Sequence, residues 1–107
     1  DIEKMPLVAI AADRSALEPF EGLWIGDNED YKLYFDNDQF MAERLYKPLG
    51  GVQFYENPPP ISMSSAGEDM IIMTDGAFQG TVGQLLRDGS GKPTFLSMQH
   101  RIFRREE

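Results

Sequence analysis

Tyr31-Lys32-Leu33-Tyr34-Phe35-Asp36-Asn37-Asp38-Gln39-Phe40 reads as two strands folded back on each other. Tyr31, Leu33 and Phe35 alternate with Lys32 and Tyr34, which is the period of two that a half-buried strand requires. Asp36-Asn37-Asp38 supplies side chains that tolerate left-handed backbone angles, so the chain turns tightly there. The returning strand runs from Gln39 to about Tyr46. The same rhythm extends both ways. Upstream, Gly22-Leu23-Trp24-Ile25 is a strand ended by Gly26-Asp27-Asn28. Downstream, Lys47-Pro48-Leu49-Gly50-Gly51 precedes a strand from Val52 to Tyr55, which Asn57-Pro58-Pro59-Pro60 stops, because prolines cannot sit in a central strand. Ile61 to Ser64 reads as a short edge strand and Met70 to Thr74 as an apolar one. Asp75-Gly76 is the clearest two-residue hairpin signal, its partner strand continuing from Ala77 to Leu86 with Gly80 and Gly83 marking a bend or bulge. After the loop Asp88-Gly89-Ser90-Gly91-Lys92, a last strand from Thr94 to Phe103 places Leu96, Met98, His100 and Ile102 on one face.

These make about eight short strands with no helices between them, so antiparallel pairing follows. Closure removes exposed strand edges, and the expected fold is all-β: a small antiparallel up-and-down β-barrel, with a two-sheet sandwich as the alternative. Residues 1–19 read as an N-terminal arm and short helix, and residues 20–107 as a single barrel domain. In the arm, Leu7 to Ala12 fits an edge strand or packed arm. Asp13 is placed to cap one or two helical turns that Pro19 ends. The small residues after Leu7 also look like the end of a secretory signal, and Asp1 in place of methionine suggests processing or truncation, a weak lean toward a secreted or periplasmic protein.

The 107 residues carry 18 acids and 10 bases, a net charge of −8. No apolar run approaches the roughly 18–20 residues of a membrane span. The charge would repel a phosphate backbone and no basic stripe interrupts it, which argues against nucleic acid. The absence of cysteine removes disulfides and thiolate chemistry, and a single histidine removes any site needing two imidazoles.

Phe20-Glu21-Gly22-Leu23-Trp24 holds Gly-x-Trp just after a helical turn, and Arg101-Ile102-Phe103-Arg104 lies at the far end of the chain. This pattern resembles the lipocalin and fatty-acid-binding (calycin) barrels. The resemblance implies that Trp24 plugs the closed end and that Arg104 or Arg101 covers its indole. It also implies an interior that holds a small apolar or amphipathic ligand. Short barrels of this kind also serve as accessory domains and inhibitors.

The ligand-binding candidates are Trp24, Phe54, Met98, His100 and Arg104. His100 is the only group whose charge changes near neutral pH, so it is a candidate partner for an acidic head group if it faces inward. Aromatic and methionine side chains, including Tyr31, Phe35, Phe40, Met63, Met70 and Phe78, either line a pocket or fill the core. The turns Asp27-Asn28-Glu29-Asp30 and Asp36-Asn37-Asp38 lie at opposite ends of one strand and lack calcium-loop spacing, so no metal is expected. No catalytic set is expected, since there is no Gly-x-Ser-x-Gly, and Pro93 stands where a phosphate loop would need a helix. No cofactor is expected either. The alternative to a binding barrel is a protein-interaction module with a filled core, acting through the loops Tyr46–Gly51 and Tyr55–Pro60.

Overall fold

Residues 14–48, 50–53 and 56–106 are described by the computed structural model. In chain order they form α1 (Arg14–Leu17), a 3-10 turn (Glu18–Phe20), β1 (Gly22–Ile25), β2 (Glu29–Asp36) and β3 (Gln39–Tyr46). There follow β4 (Ile61–Gly67), β5 (Met70–Met73), β6 (Val82–Arg87), β7 (Pro93–Met98) and β8 (Arg101–Arg105). Each strand pairs antiparallel with the next, and β8 returns to β1, so the eight strands close into an up-and-down barrel. That closure rules out the sandwich. The β2–β3 hairpin is the longest pairing, from Glu29 opposite Tyr46 to Asp36 opposite Gln39, and Asn37 takes a φ of 57° in its turn. Among the described residues, no helix is long and apolar enough to cross a membrane.

The inward side chains fill the barrel. Leu33, Phe40, Met63, Ile71, Leu85, Leu96, Met98 and Phe103 are all buried, as expected for an eight-stranded barrel whose interior is about one side-chain layer wide. One end is shut by the N-terminal segment. Leu17 and Phe20 are buried beneath it, and the Trp24 indole N–H donates to the Phe20 carbonyl at 2.9 Å. Arg105 covers the indole, with its guanidinium carbon 5.1 Å from the ring. Its N–H groups donate to the carbonyls of Pro19, at 2.9 Å, and Glu21. One side chain therefore ties the last strand, the first strand and the helical turn together.

The expected cover was Arg104 or Arg101, and the difference has a local cause. Thr94 to Phe103 is not one strand. Gln99 and His100 form a turn, with φ of 54° and 63°, between β7 and β8. The turn inverts the alternation that follows it. Phe103 becomes buried, Ile102 is 56% exposed, Arg104 points outward and Arg105 points in.

The Asp75-Gly76 hairpin is corrected as well. β5 stops at Met73 and β6 begins at Val82, so residues 74–81 form a loop. The Asp75 carboxylate accepts the Ser62 N–H of β4 at 2.9 Å, so it serves the neighbouring strand rather than a tight turn. Gly80 lies in this loop, and the register shifts occur at Ser65/Gly67 and Leu86/Arg87. Gly83 instead permits close packing, since a Cβ there would lie 3.0 Å from Ile71. Of the expected Val52–Tyr55 strand, Val52 makes a single bridge. Phe54, Tyr55, the Leu7–Ala12 arm and Asp13 lie outside the described residues.

Two stability outcomes follow. Trp24→Ala is expected to lose about 3–5 kcal/mol, the usual effect of deleting a buried aromatic. His100→Gly is expected to gain about 0.5–1 kcal/mol, because glycine occupies a left-handed turn position without the Cβ clash. Urea denaturation measures both, and a destabilised His100→Gly would contradict the turn assignment.

Candidate functional site

The end opposite the helical turn is open for a reason written in β3 and β4. These strands pair only between Phe40–Ala42 and Ile61–Met63. Pro58, Pro59 and Pro60 lie just before β4, and proline has no N–H to extend the ladder. The outer half of β3 therefore parts from β4. The gap becomes a cavity of about 500 Å³, floored by Tyr31, Ala42 and Met73 and walled by Tyr46, the three prolines, Ile61 and Phe78. Phe78 comes from the 74–81 loop and is 45% exposed.

Arg44 is the cationic member of this largely apolar rim, whose carboxylate is Asp75. Arg44 follows Phe40 and Ala42 on the inward face of β3 and lies directly opposite Tyr31 of β2. Glu29 shares the inward phase of Tyr31 and Leu33 and is buried. Arg44 Nε donates to Glu29 Oε2 at 3.1 Å, and one Nη donates to Gln99 Oε1 at 3.2 Å. The guanidinium also stands 4.9 Å from the Phe78 ring and 5.6 Å from that of Tyr31. A half-buried cation among aromatic faces is favourable.

The electrostatics keep both groups in their ordinary protonation states. Burial pushes the Tyr31 phenol up, and the Glu29 carboxylate adds to the rise while Arg44 opposes part of it. For Arg44, burial acts to lower the pKa, but Tyr31, Glu29 and Tyr46 more than offset it and the value rises. Arg44 is a permanent cation at the mouth.

A second, more open hollow of about 740 Å³ adjoins the cavity across Arg44 and Phe78 and reaches Met98, His100 and Arg101. The residues singled out from the sequence are spread over the molecule. Trp24 lies at the closed end, and Met98 is buried in the interior where it borders the second hollow. His100 is exposed on the β7–β8 turn rather than inward, and Arg104 is exposed on the outer face. Phe54 lies outside the described residues. Glu29 had been assigned to an acidic turn, yet it belongs to β2. The Ser62 hydroxyl bonds that of Thr74, and Ser65 donates to the Gly67 carbonyl. Among the described residues, no group of three or more acidic or histidine side chains is arranged to hold a metal ion.

Fold and site together define a small closed antiparallel barrel with an apolar hollow at its open end. In comparisons with known proteins, no family model matches the chain and no curated protein matches it.

Two outcomes test the electrostatics of this mouth. Arg44→Met is expected to destabilise by about 2–4 kcal/mol, because it strands the buried Glu29 carboxylate, whereas the Glu29→Leu/Arg44→Met pair is expected to be near neutral. If the double variant is no more stable than Arg44→Met, the pairing account fails. The raised Tyr31 pKa favours the neutral phenol in the folded state. Its stabilising contribution is therefore complete below the unfolded value of 10.0 and is lost as pH rises through the folded value. Denaturation midpoints followed from about pH 8 to 11 should fall less steeply in Tyr31→Phe than in the parent chain.

Proposed function

We propose that the chain is a non-enzymatic, lipocalin-like binding barrel that holds a small apolar or amphipathic molecule in the cavity at its mouth. The observation that carries this reading is the hollow of about 500 Å³ between β3, the three prolines and the 74–81 loop. Its size lies within the roughly 300–1,000 Å³ of small-molecule pockets, and like them it joins apolar walls to a few convergent polar groups. The apolar part of the ligand rests on Ala42, Ile61, Met73 and Phe78. The polar end reaches Arg44, whose guanidinium has five N–H donors and commits only some of them to Glu29, Gln99 and Tyr31. The ligand sits above the packed interior and not within it. The closed end, with Trp24 beneath Arg105, gives the rigid base that the lipocalin resemblance implies. Reactive chemistry finds no support in this mouth, where the Glu29 carboxylate is paired with Arg44 and that of Asp75, on the cavity lining, accepts the Ser62 N–H.

Dansyl-undecanoic acid and the corresponding dansyl alcohol test the reading by fluorescence titration. The parent chain is expected to bind both at about micromolar affinity. Phe78→Ser should weaken both, and the Glu29→Leu/Arg44→Met pair should weaken the acid about tenfold, or ~1.4 kcal/mol, while sparing the alcohol. No binding by the parent chain, or binding unchanged in Phe78→Ser, would overturn it.

A further inference from the structure

Outward side chains on a solvent-facing antiparallel sheet should be polar. Across β6, β7, β8 and β1 the outward row instead reads Leu86, Phe95, Arg104 and Ile25, each directly opposite the next. Ile102 adds to this row from two positions along β8. Leu86, Phe95 and Ile102 are 38%, 44% and 56% exposed. Two shallow grooves of about 350 and 280 Å³ meet at Phe95 and Arg104. Lys47 and Asp27 also line the first and Lys92 the second. Lys47 pairs with Asp30, at 3.4 Å. Arg104 is exposed and has no ion-pair partner among the described residues. A chain of net charge −8 thus places Arg104, Lys47 and Lys92 against one aspartate beside an outward apolar row.

We propose that this groove docks an extended segment of a partner protein in which aspartate or glutamate flanks apolar anchors. The charges select this occupant over two others. An anionic membrane would extend beyond the row and meet the acidic remainder of the molecule, whereas a segment lying in the groove meets Lys47, Arg104 and Lys92 against the single carboxylate of Asp27. A second copy packed by two-fold symmetry would set Arg104 near the same arginine of its mate. An acidic segment satisfies Arg104 and covers Phe95 and Ile102 together. The face lies outside the barrel and does not depend on the mouth cavity being a ligand site.

Selection from a displayed library of random peptides, each about twelve residues long and so able to span ~40 Å when extended, tests the proposal. The parent chain is the bait, with Phe95→Ser and Arg104→Glu as comparison baits. Both substitutions are at exposed positions, and thermal melts confirm that the folds are retained. Recovered peptides are expected to be acidic with apolar residues, to bind each variant at least about tenfold more weakly, and to lose affinity as salt rises from about 50 to 500 mM. The proposal is overturned if no acidic peptides are recovered or if they bind the variants equally. It is equally overturned if vesicles of 3:1 phosphatidylcholine and phosphatidylglycerol bind the parent chain but not Arg104→Glu, or if the parent chain sediments as a dimer that Arg104→Glu dissociates.

Discussion

An eight-stranded barrel has room inside for about its own side chains and little more, and this limit governs everything else in the molecule. Once Trp24, Leu33, Phe40, Met63, Leu96 and Phe103 occupy the interior, a hollow forms where the wall is incomplete. The wall is incomplete beside β3 because Pro58, Pro59 and Pro60 deny this strand a full partner. The opposite end is shut by the N-terminal segment, which a single side chain fastens to two strands: Arg105 spans the indole of Trp24 and the carbonyls of Pro19 and Glu21. Closure at one end and an unpaired strand half at the other give the barrel its polarity.

Glu29 and Arg44 sit where the filled core gives way to the open mouth. An isolated buried charge would be costly, so each requires the other, and Gln99 on the β7–β8 turn accepts a further N–H. The pair therefore links β2, β3 and the last hairpin across the rim. It also leaves an obligate cation facing an apolar hollow, which suits an amphipathic occupant better than a purely apolar one.

Much of this was legible in the residues. The alternation of Tyr31, Leu33 and Phe35 and the chemistry of Asn37-Asp38 are local signals, and the β2–β3 hairpin follows them. Gly-x-Trp at Gly22–Trp24 correctly pointed to a buried tryptophan beneath a basic side chain of the last strand. The β7–β8 turn was hidden because Gln99-His100 lacks the glycine, asparagine or aspartate that marks such turns. Its positive φ angles are imposed by the pairing of Leu96 with Phe103 and Met98 with Arg101. Read without that turn, the alternation is shifted by one residue, which exchanges Arg105 for Arg104 and turns His100 inward. Asp75-Gly76 misled for the opposite reason, since its turn chemistry is real but Asp75 is recruited by Ser62 across the sheet. Arg44 was overlooked although a signal existed. An arginine in phase with Phe40 and Ala42 points into a barrel, and an inward arginine needs a carboxylate such as Glu29.

The claim that a ligand rests at the mouth above a packed interior is tested most directly by nuclear magnetic resonance of the parent chain. The protein would carry ¹³C-labelled methionine methyls and a ¹⁵N-labelled indole, and be titrated with dansyl-undecanoic acid. Met73 forms part of the cavity floor, and Trp24 lies at the closed end with its indole N–H held by Phe20. The Met73 methyl is expected to shift on titration while the Trp24 indole N–H stays in place. A shifting Trp24 with an unmoved Met73 would place the ligand inside the barrel, and no shift in either would leave the mouth without a binding role; both results contradict the account.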